Sequence, residues 1–163
     1  MAKSKEEKTN VMRVLEQKKI AYTAHTYPHE EGVAVDGVTV AQSMGFDPAA
    51  VFKTLVARGA SKQYYVFDVP VAENLDLKKA AKAVGEKSIE MIHQKELLPL
   101  TGYVHGGCSP VGMKKLFPTV IDASAEDLET MIVSAGKIGY QVELSPRDLA
   151  ALVRASFADL VAE

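Results

Sequence analysis

Residues 51–58 (VFKTLVAR) and 63–69 (QYYVFDV) are two β-favouring runs parted only by Gly59-Ala60-Ser61-Lys62. So short a connection joins antiparallel strands, because a parallel pair needs a crossover of a dozen residues or more. The fold is therefore obliged to contain a hairpin and to cover its apolar side chains. A second pair of runs, 129–133 and 140–144, flanks the turn Ser134-Ala135-Gly136-Lys137-Ile138-Gly139 and predicts another hairpin.

Helical signals surround these ribbons. Residues 5–19 place Val11, Met12, Val14 and Leu15 on one face, the pattern of an amphipathic helix. Residues 20–27 alternate as a strand that Pro28 closes. Thr39 is expected to cap a short helix ending near Gly45, and Asp47-Pro48 is a second start signal. Asp76 caps a lysine-rich helix over 77–84 that stops at Gly85, and residues 91–98 read as a further helix ended by Pro99. Residues 119–122 form a short apolar strand and 126–128 a helical turn. Ser145-Pro146-Arg147-Asp148 combines a capping residue, a proline at the first helical position and an acid three residues on. With no internal repeat or linker, residues 1–163 read as one α/β domain: a mixed, mostly antiparallel sheet flanked by helices.

Composition narrows the function. A chain of 163 residues is long enough to bury a substantial core, and 47% hydrophobic with 25% charged residues is an ordinary globular profile. No apolar run spans a bilayer, and the N-terminus lacks the hydrophobic segment of a signal peptide. With the single Cys108 excluding an internal disulfide, a cytoplasmic setting with no membrane partner is expected. A net charge of −2 and a pI near 6.1 argue against gripping DNA or RNA by bulk electrostatics. An RNA partner would be bound with another protein's help.

Residues 101–112 (TGYVHGGCSPVG) read as a strand running into a tight loop, where Gly106 and Gly107 take positive φ and bare their main-chain N–H groups. Such donors suit a phosphate or an oxyanion. Lys53 stands between Phe52 and Leu55 in an apolar run, either on a wet sheet face or directed into a pocket. His25, His29, His93 and His105 lack metal-ligand spacing. Cys108 has no histidine and acid to activate it, and Ser109 lacks the Gly-x-Ser-x-Gly setting. Ser134-Ala135-Gly136-Lys137 is not a Walker-type phosphate loop, and Asp122 is more simply a cap for the next turn. The residues by themselves lead to an α/β domain with a glycine-lined pocket and one lysine.

Taken together in their order, His25-Thr26-Tyr27, Val51-Phe52-Lys53-Thr54-Leu55, Leu77-Lys78-Lys79, Gly106-Gly107-Cys108-Ser109-Pro110-Val111-Gly112, Pro118-Thr119-Val120-Ile121-Asp122 and Val133-Ser134-Ala135-Gly136-Lys137 resemble the YbaK/EbsC family. That family contains the bacterial Cys-tRNA(Pro) deacylases and is related to the editing insertion domain of prolyl-tRNA synthetases. The resemblance runs from about Val11 to Phe157. It implies a trans-editing enzyme for cysteine mischarged onto proline tRNA, working beside prolyl-tRNA synthetase with neither metal nor cofactor. It also implies that Lys53 is the functional lysine, that Thr54 and Tyr27 line the pocket, that Gly106 and Gly107 approach the substrate by main chain, and that Ser134 faces it from the second turn. Tyr27 and Ser134 are reached through the resemblance only. Gln141 stands in the following strand where many Cys-tRNA deacylases carry aspartate, and Cys108 where an aliphatic residue is common. Both departures bear on substrate choice, which leaves a water-using deacylase for alanine or another small residue, and a non-catalytic aminoacyl-tRNA or synthetase-binding module, as the alternatives. In this family the substrate's own thiol is the expected nucleophile. Lysines 78, 79, 82, 114, 115 and 137 are candidates for a local basic face.

Overall fold

The computed structural model describes residues 8–30 and 32–163. The first helix, α1, spans Asn10–Gln17, with the Thr9 hydroxyl accepting from the Met12 N–H at its start; Lys5 to Glu7, also expected to be helical, lie outside the described residues. Val11, Met12 and Leu15 are buried along its inner face. The strand expected over 20–27 is shorter, β1 at Thr23–Thr26.

Helix α2 (Gly37–Met44) starts two residues before Thr39, because the Asp36 carboxylate accepts the Thr39 N–H at 3.1 Å and so makes Asp36 the cap. Its end at Gly45 is as expected. Asp47 caps a single 3-10 turn, Pro48–Ala50. The hairpin follows as β2 (Phe52–Gly59) and β3 (Tyr64–Pro70). Asp76 receives the Lys78 and Lys79 N–H groups at the start of α3 (Leu77–Val84), which stops at Gly85 in the left-handed region.

Two differences follow. Met91 belongs to an edge strand, β4 (Ile89–Met91), paired antiparallel with the far end of β2. Helix α4 then runs over Gln94–Thr101 with Pro99 inside it. Proline at that place forfeits only the bond to the Lys95 carbonyl, and Gly102, at φ 87°, ends the helix three residues later. Thr101 to Val104 is therefore helix end and loop, not strand: the Thr101 hydroxyl donates to the Leu97 carbonyl and accepts from the Tyr103 N–H. Beyond the loop come β5 (Thr119–Asp122), a 3-10 turn at Ala123–Asp127, β6 (Met131–Ser134), β7 (Tyr140–Leu144), α5 (Pro146–Val153) and β8 (Ser156–Ala158), an element with no counterpart in the sequence reading. As expected, Asp122 is a structural cap, accepting from the Ser124 and Leu160 N–H groups.

The strands form a three-stranded sheet, β1-β7-β6, and a five-stranded sheet, β4-β2-β3-β5-β8. Only β3–β5 and β5–β8 pair parallel. A single bridge, Val51 to Ile132, ties the two sheets together. Between them lies the main core, with Phe52, Val56, Val66 and Ile121 from one sheet against Met131, Val133, Val142 and Leu144 from the other. The opposite face of the larger sheet packs Phe67, Val69 and Val120 on Ala80 and Ala81 of α3. No helix among the described residues is long and apolar enough to cross a membrane. Because Asp76 satisfies two otherwise unpaired N–H groups, Asp76→Ala is expected to lower unfolding free energy by about 1 kcal/mol in a urea titration, with Asp76→Asn recovering most of it.

Candidate active site

A cleft of about 570 Å³ opens where the two sheets meet, beside the N-terminal half of β2. That volume suits a small-molecule end rather than a helix or strand. Tyr27, Lys53, Thr54, Gly106, Ser134 and Gln141 all line it, drawn from β1's end, β2, the glycine loop, β6 and β7. The sequence-expected residues therefore converge, with Gly107 the exception. α2 and the segment before it supply a further wall through Asp36 and Val40.

Each wall is fixed locally. Lys53 pairs with Val69 and Thr54 with Asp68 in the β2–β3 register, so the two neighbours leave the strand on opposite faces. Burial holds the Lys53 ammonium below its usual pKa, while Asp36 and Glu73 oppose that shift through space. A partly desolvated ammonium is a strong partner for an anion or a developing oxyanion. Tyr27 is buried and tied by its N–H to the Gly139 carbonyl at 2.9 Å. The Ser134 hydroxyl accepts from the Gly136 N–H at 3.1 Å, which closes the turn after β6. Gln141 sits between His25 and Ser134 in its sheet, and its buried Oε1 has no hydrogen-bond partner.

The loop's two glycines differ in purpose. Gly106 has φ 90°, and a Cβ there would lie 2.7 Å from Cβ of Ala34, so only glycine fits. Gly107, expected to share the positive φ and to approach the substrate, does not take positive φ and does not line the cleft. Its N–H donates to the Val104 carbonyl at 2.9 Å, and an added Cβ would meet the Ile138 nitrogen at 3.0 Å. It is glycine so that two backbones can approach, and the main-chain wall of the cleft falls to Gly106.

Cys108 lines the cleft and Ser109 lies beside it, yet neither is prepared for attack. Burial, then the nearby Asp68 carboxylate, pushes the Cys108 thiol up to about 12, leaving it protonated at neutral pH. Ser109 is wholly buried, with its hydroxyl accepting the Val111 N–H. Among the described residues no three His, Cys, Asp or Glu side chains converge as a metal-binding group. Of the lysines proposed for a basic face, Lys79 is tied to Asp159 at 3.0 Å, and Lys137 stands over the Tyr140 ring at the cleft.

The sequence reading missed Asp68. It is entirely buried in β3 beneath Thr54, whose hydroxyl donates to its Oδ1 at 2.6 Å, while Oδ2 has no partner. Desolvation raises its pKa to about 7, against a smaller opposing effect of Thr54. The signal was available: an acid inside the apolar run YYVFDV is as odd as the lysine inside VFKTLV.

Comparison with known proteins sharpens the picture. The family model described as "Aminoacyl-tRNA editing domain" matches residues 32–152. An Enterococcus faecalis protein named "Putative Cys-tRNA(Pro)/Cys-tRNA(Cys) deacylase EbsC" is 44% identical over 161 residues, 98% of either chain. A proline–tRNA ligase of Shouchella clausii is 28% identical over 100 residues, 61% of this chain but 17% of the ligase. A solved structure described as "a putative trans-editing enzyme for prolyl tRNA synthetase" superposes with a TM-score of 0.79 at 26% identity, covering 94% of this chain and 95% of that one.

The state of Asp68 can be read from stability. A carboxyl whose pKa is raised on folding is held protonated more tightly by the folded chain. Its contribution to stability is thus fullest below the ordinary aspartate range and is lost as pH rises through about 7. Asp68→Asn cannot titrate and escapes that loss. Its Tm relative to the parent is expected to become steadily more favourable from about pH 4 to about pH 8, and a difference independent of pH contradicts the buried-acid assignment.

Proposed function

The chain belongs to the aminoacyl-tRNA editing domain family, and from that premise we propose that it deacylates Cys-tRNA(Pro) in trans, beside prolyl-tRNA synthetase in the cytoplasm. The observation that carries this reading is the composition of the cleft wall. A half-buried lysine, a main-chain glycine and the buried Gln141 side-chain oxygen face a space of small-molecule size, and the cysteine and serine beside them are unfit to attack. A site of this kind binds and orients; its nucleophile comes with the substrate. Cysteine brings one in its thiol, which attacks the ester carbonyl to give a cyclic thiolactone and tRNA with a freed terminal hydroxyl. Holding thiol and carbonyl in contact is worth many powers of ten in rate.

Lys53 holds the terminal phosphate or the developing oxyanion, and the Gly106 main chain faces the carbonyl. Gln141 Oε1, buried without a partner, accepts from the substrate's ammonium, a neutral acceptor where a carboxylate would add charge. Tyr27, Thr54 and Ser134 complete the walls. The net charge of −2 favours an arrangement in which the synthetase presents the tRNA. The similarity to the E. faecalis protein supports the choice of cysteine.

A panel of purified aminoacyl-tRNAs tests the reading. Cys-tRNA(Pro) is expected to be deacylated and Ala-tRNA(Pro) spared, and Lys53→Ala is expected to lower the single-turnover rate by roughly 10² to 10³. Preferential loss of alanine points instead to the water-using alternative, and tight binding without hydrolysis to a non-catalytic module.

A further inference from the structure

Thiol attack on an ester needs somewhere to put the thiol's proton, and the cleft wall described so far has no group assigned to take it. Thr54 is the one wall residue whose hydroxyl is already committed, at 2.6 Å, to a fully buried carboxylate oxygen. The other oxygen of that carboxylate has no partner. A structural aspartate caps a turn or meets a cation, as Asp36, Asp76 and Asp122 cap theirs here. Asp68 does neither. It spends the desolvation of a full carboxyl on one hydroxyl that lines the cleft.

Resting on the functional reading above, we propose that Thr54 and Asp68 form a proton relay for the deacylation, with Thr54 touching the attacking group and Asp68 acting through it as the positioning acid–base behind the wall. The thiol proton passes to Thr54 Oγ1 while the proton already on that hydroxyl passes to Asp68 Oδ1, turning carboxylate into neutral acid. The thiolate sulfur bonds to the ester carbonyl carbon. When the tetrahedral intermediate collapses, the bond from that carbon to the ribose oxygen breaks, and the departing oxygen takes the proton back along the same path. Asp68 is a carboxylate again, and the products are thiolactone and tRNA.

The surroundings suit that duty. From β2 Asp68 meets Thr54, from β5 its register partner is apolar Ile121, and from the glycine loop the Cys108 thiol is close enough to feel its charge. Lys53, the cation next to Thr54 in sequence, leaves β2 on the other face, where Asp36 and Glu73 act on it. Burial raises the Asp68 pKa and the Thr54 hydroxyl opposes it, leaving it near neutrality, where an acceptor that must also give its proton back works best.

The test is the pH dependence of single-turnover Cys-tRNA(Pro) deacylation, corrected for uncatalysed hydrolysis, in the parent, Asp68→Asn, Thr54→Val and Thr54→Ser. The relay requires ionised Asp68, so the parent rate is expected to fall as pH drops through about 7. Asp68→Asn and Thr54→Val are expected to lose that inflection and about 10² in plateau rate. Thr54→Ser is expected to recover the inflection and most of the rate lost in Thr54→Val. Infrared difference spectra of the full chain, parent minus Asp68→Asn, report the same titration without substrate, as loss of a protonated-carboxyl band through the same pH range. A folded Asp68→Asn or Thr54→Val variant that keeps both rate and inflection overturns the relay and leaves the functional reading standing. A parent chain that hydrolyses no aminoacyl-tRNA overturns both.

Discussion

The antiparallel register that sets Lys53 against Val69 and Thr54 against Asp68 is the constraint from which the rest of the cleft follows. It sends the lysine to one face of β2 and the threonine to the other, and it lodges a carboxylate under the hydroxyl. A slip of β2 by one residue would turn Lys53 into the core between the sheets and take Thr54 away from Asp68, at the cost of an uncompensated buried charge and a lost hydrogen bond. Apolar neighbours defend the register: Phe52 and Val56 must face the smaller sheet, and Phe67 and Val69 must face α3. Burying four such side chains contributes several kcal/mol, far more than any polar contact of the site could offset.

On this frame the glycine loop is positioned by its neighbours rather than by its own flexibility. Tyr103 donates to the Val111 carbonyl across the loop, and Gly107 lies against the backbone of Lys137 and Ile138 at the turn after β6. The loop and that turn are thereby held as one wall, with Gly106 at its inner edge. The Cys108 thiol is silenced by the same burial that packs the wall, assisted by the Asp68 charge. Suppressing that thiol has a chemical advantage for the proposed deacylation, since a reactive protein thiolate there would capture the acyl group.

Much of this was legible in the residues. Both hairpins, the caps at Asp76 and Ser145 and the helix stops at Gly45 and Gly85 follow from local chemistry that tertiary packing does not override. Lys53 stood out as a cation in an apolar run. The readings that failed did so where context outweighed propensity. The Thr101 to Val104 stretch looks like a strand, but its threonine closes a helix turn and Gly102 ends that helix. Pro99 stays inside a helix because the helix is nearly over. β8 is three residues long and exists only through parallel pairing with β5, which no local pattern announces. Gly107 shares its neighbour's residue type but not its role, a difference set by which carbonyl its N–H reaches. The gathering of Tyr27, Ser134 and Gln141 from β1's end, β6 and β7 of one sheet is a matter of topology, and the resemblance to a family is what pointed to them.

In the proposed reaction Cys108 and Ser109 stay out, Lys53 and the loop bind, and the acyl group's own thiol attacks. The most direct measurement compares single-turnover deacylation of proline tRNA carrying cysteine with the same tRNA carrying S-methylcysteine, which keeps the ammonium and adds one methyl but has no thiol to ionise and attack. The expected result is enzyme-dependent release of cysteine, passing through a thiolactone that hydroxylamine can trap, with S-methylcysteine lost only at the uncatalysed rate. Enzyme-dependent loss of both at similar rates would show that water or a protein group attacks, and would contradict a cleft whose nucleophile is the substrate's own.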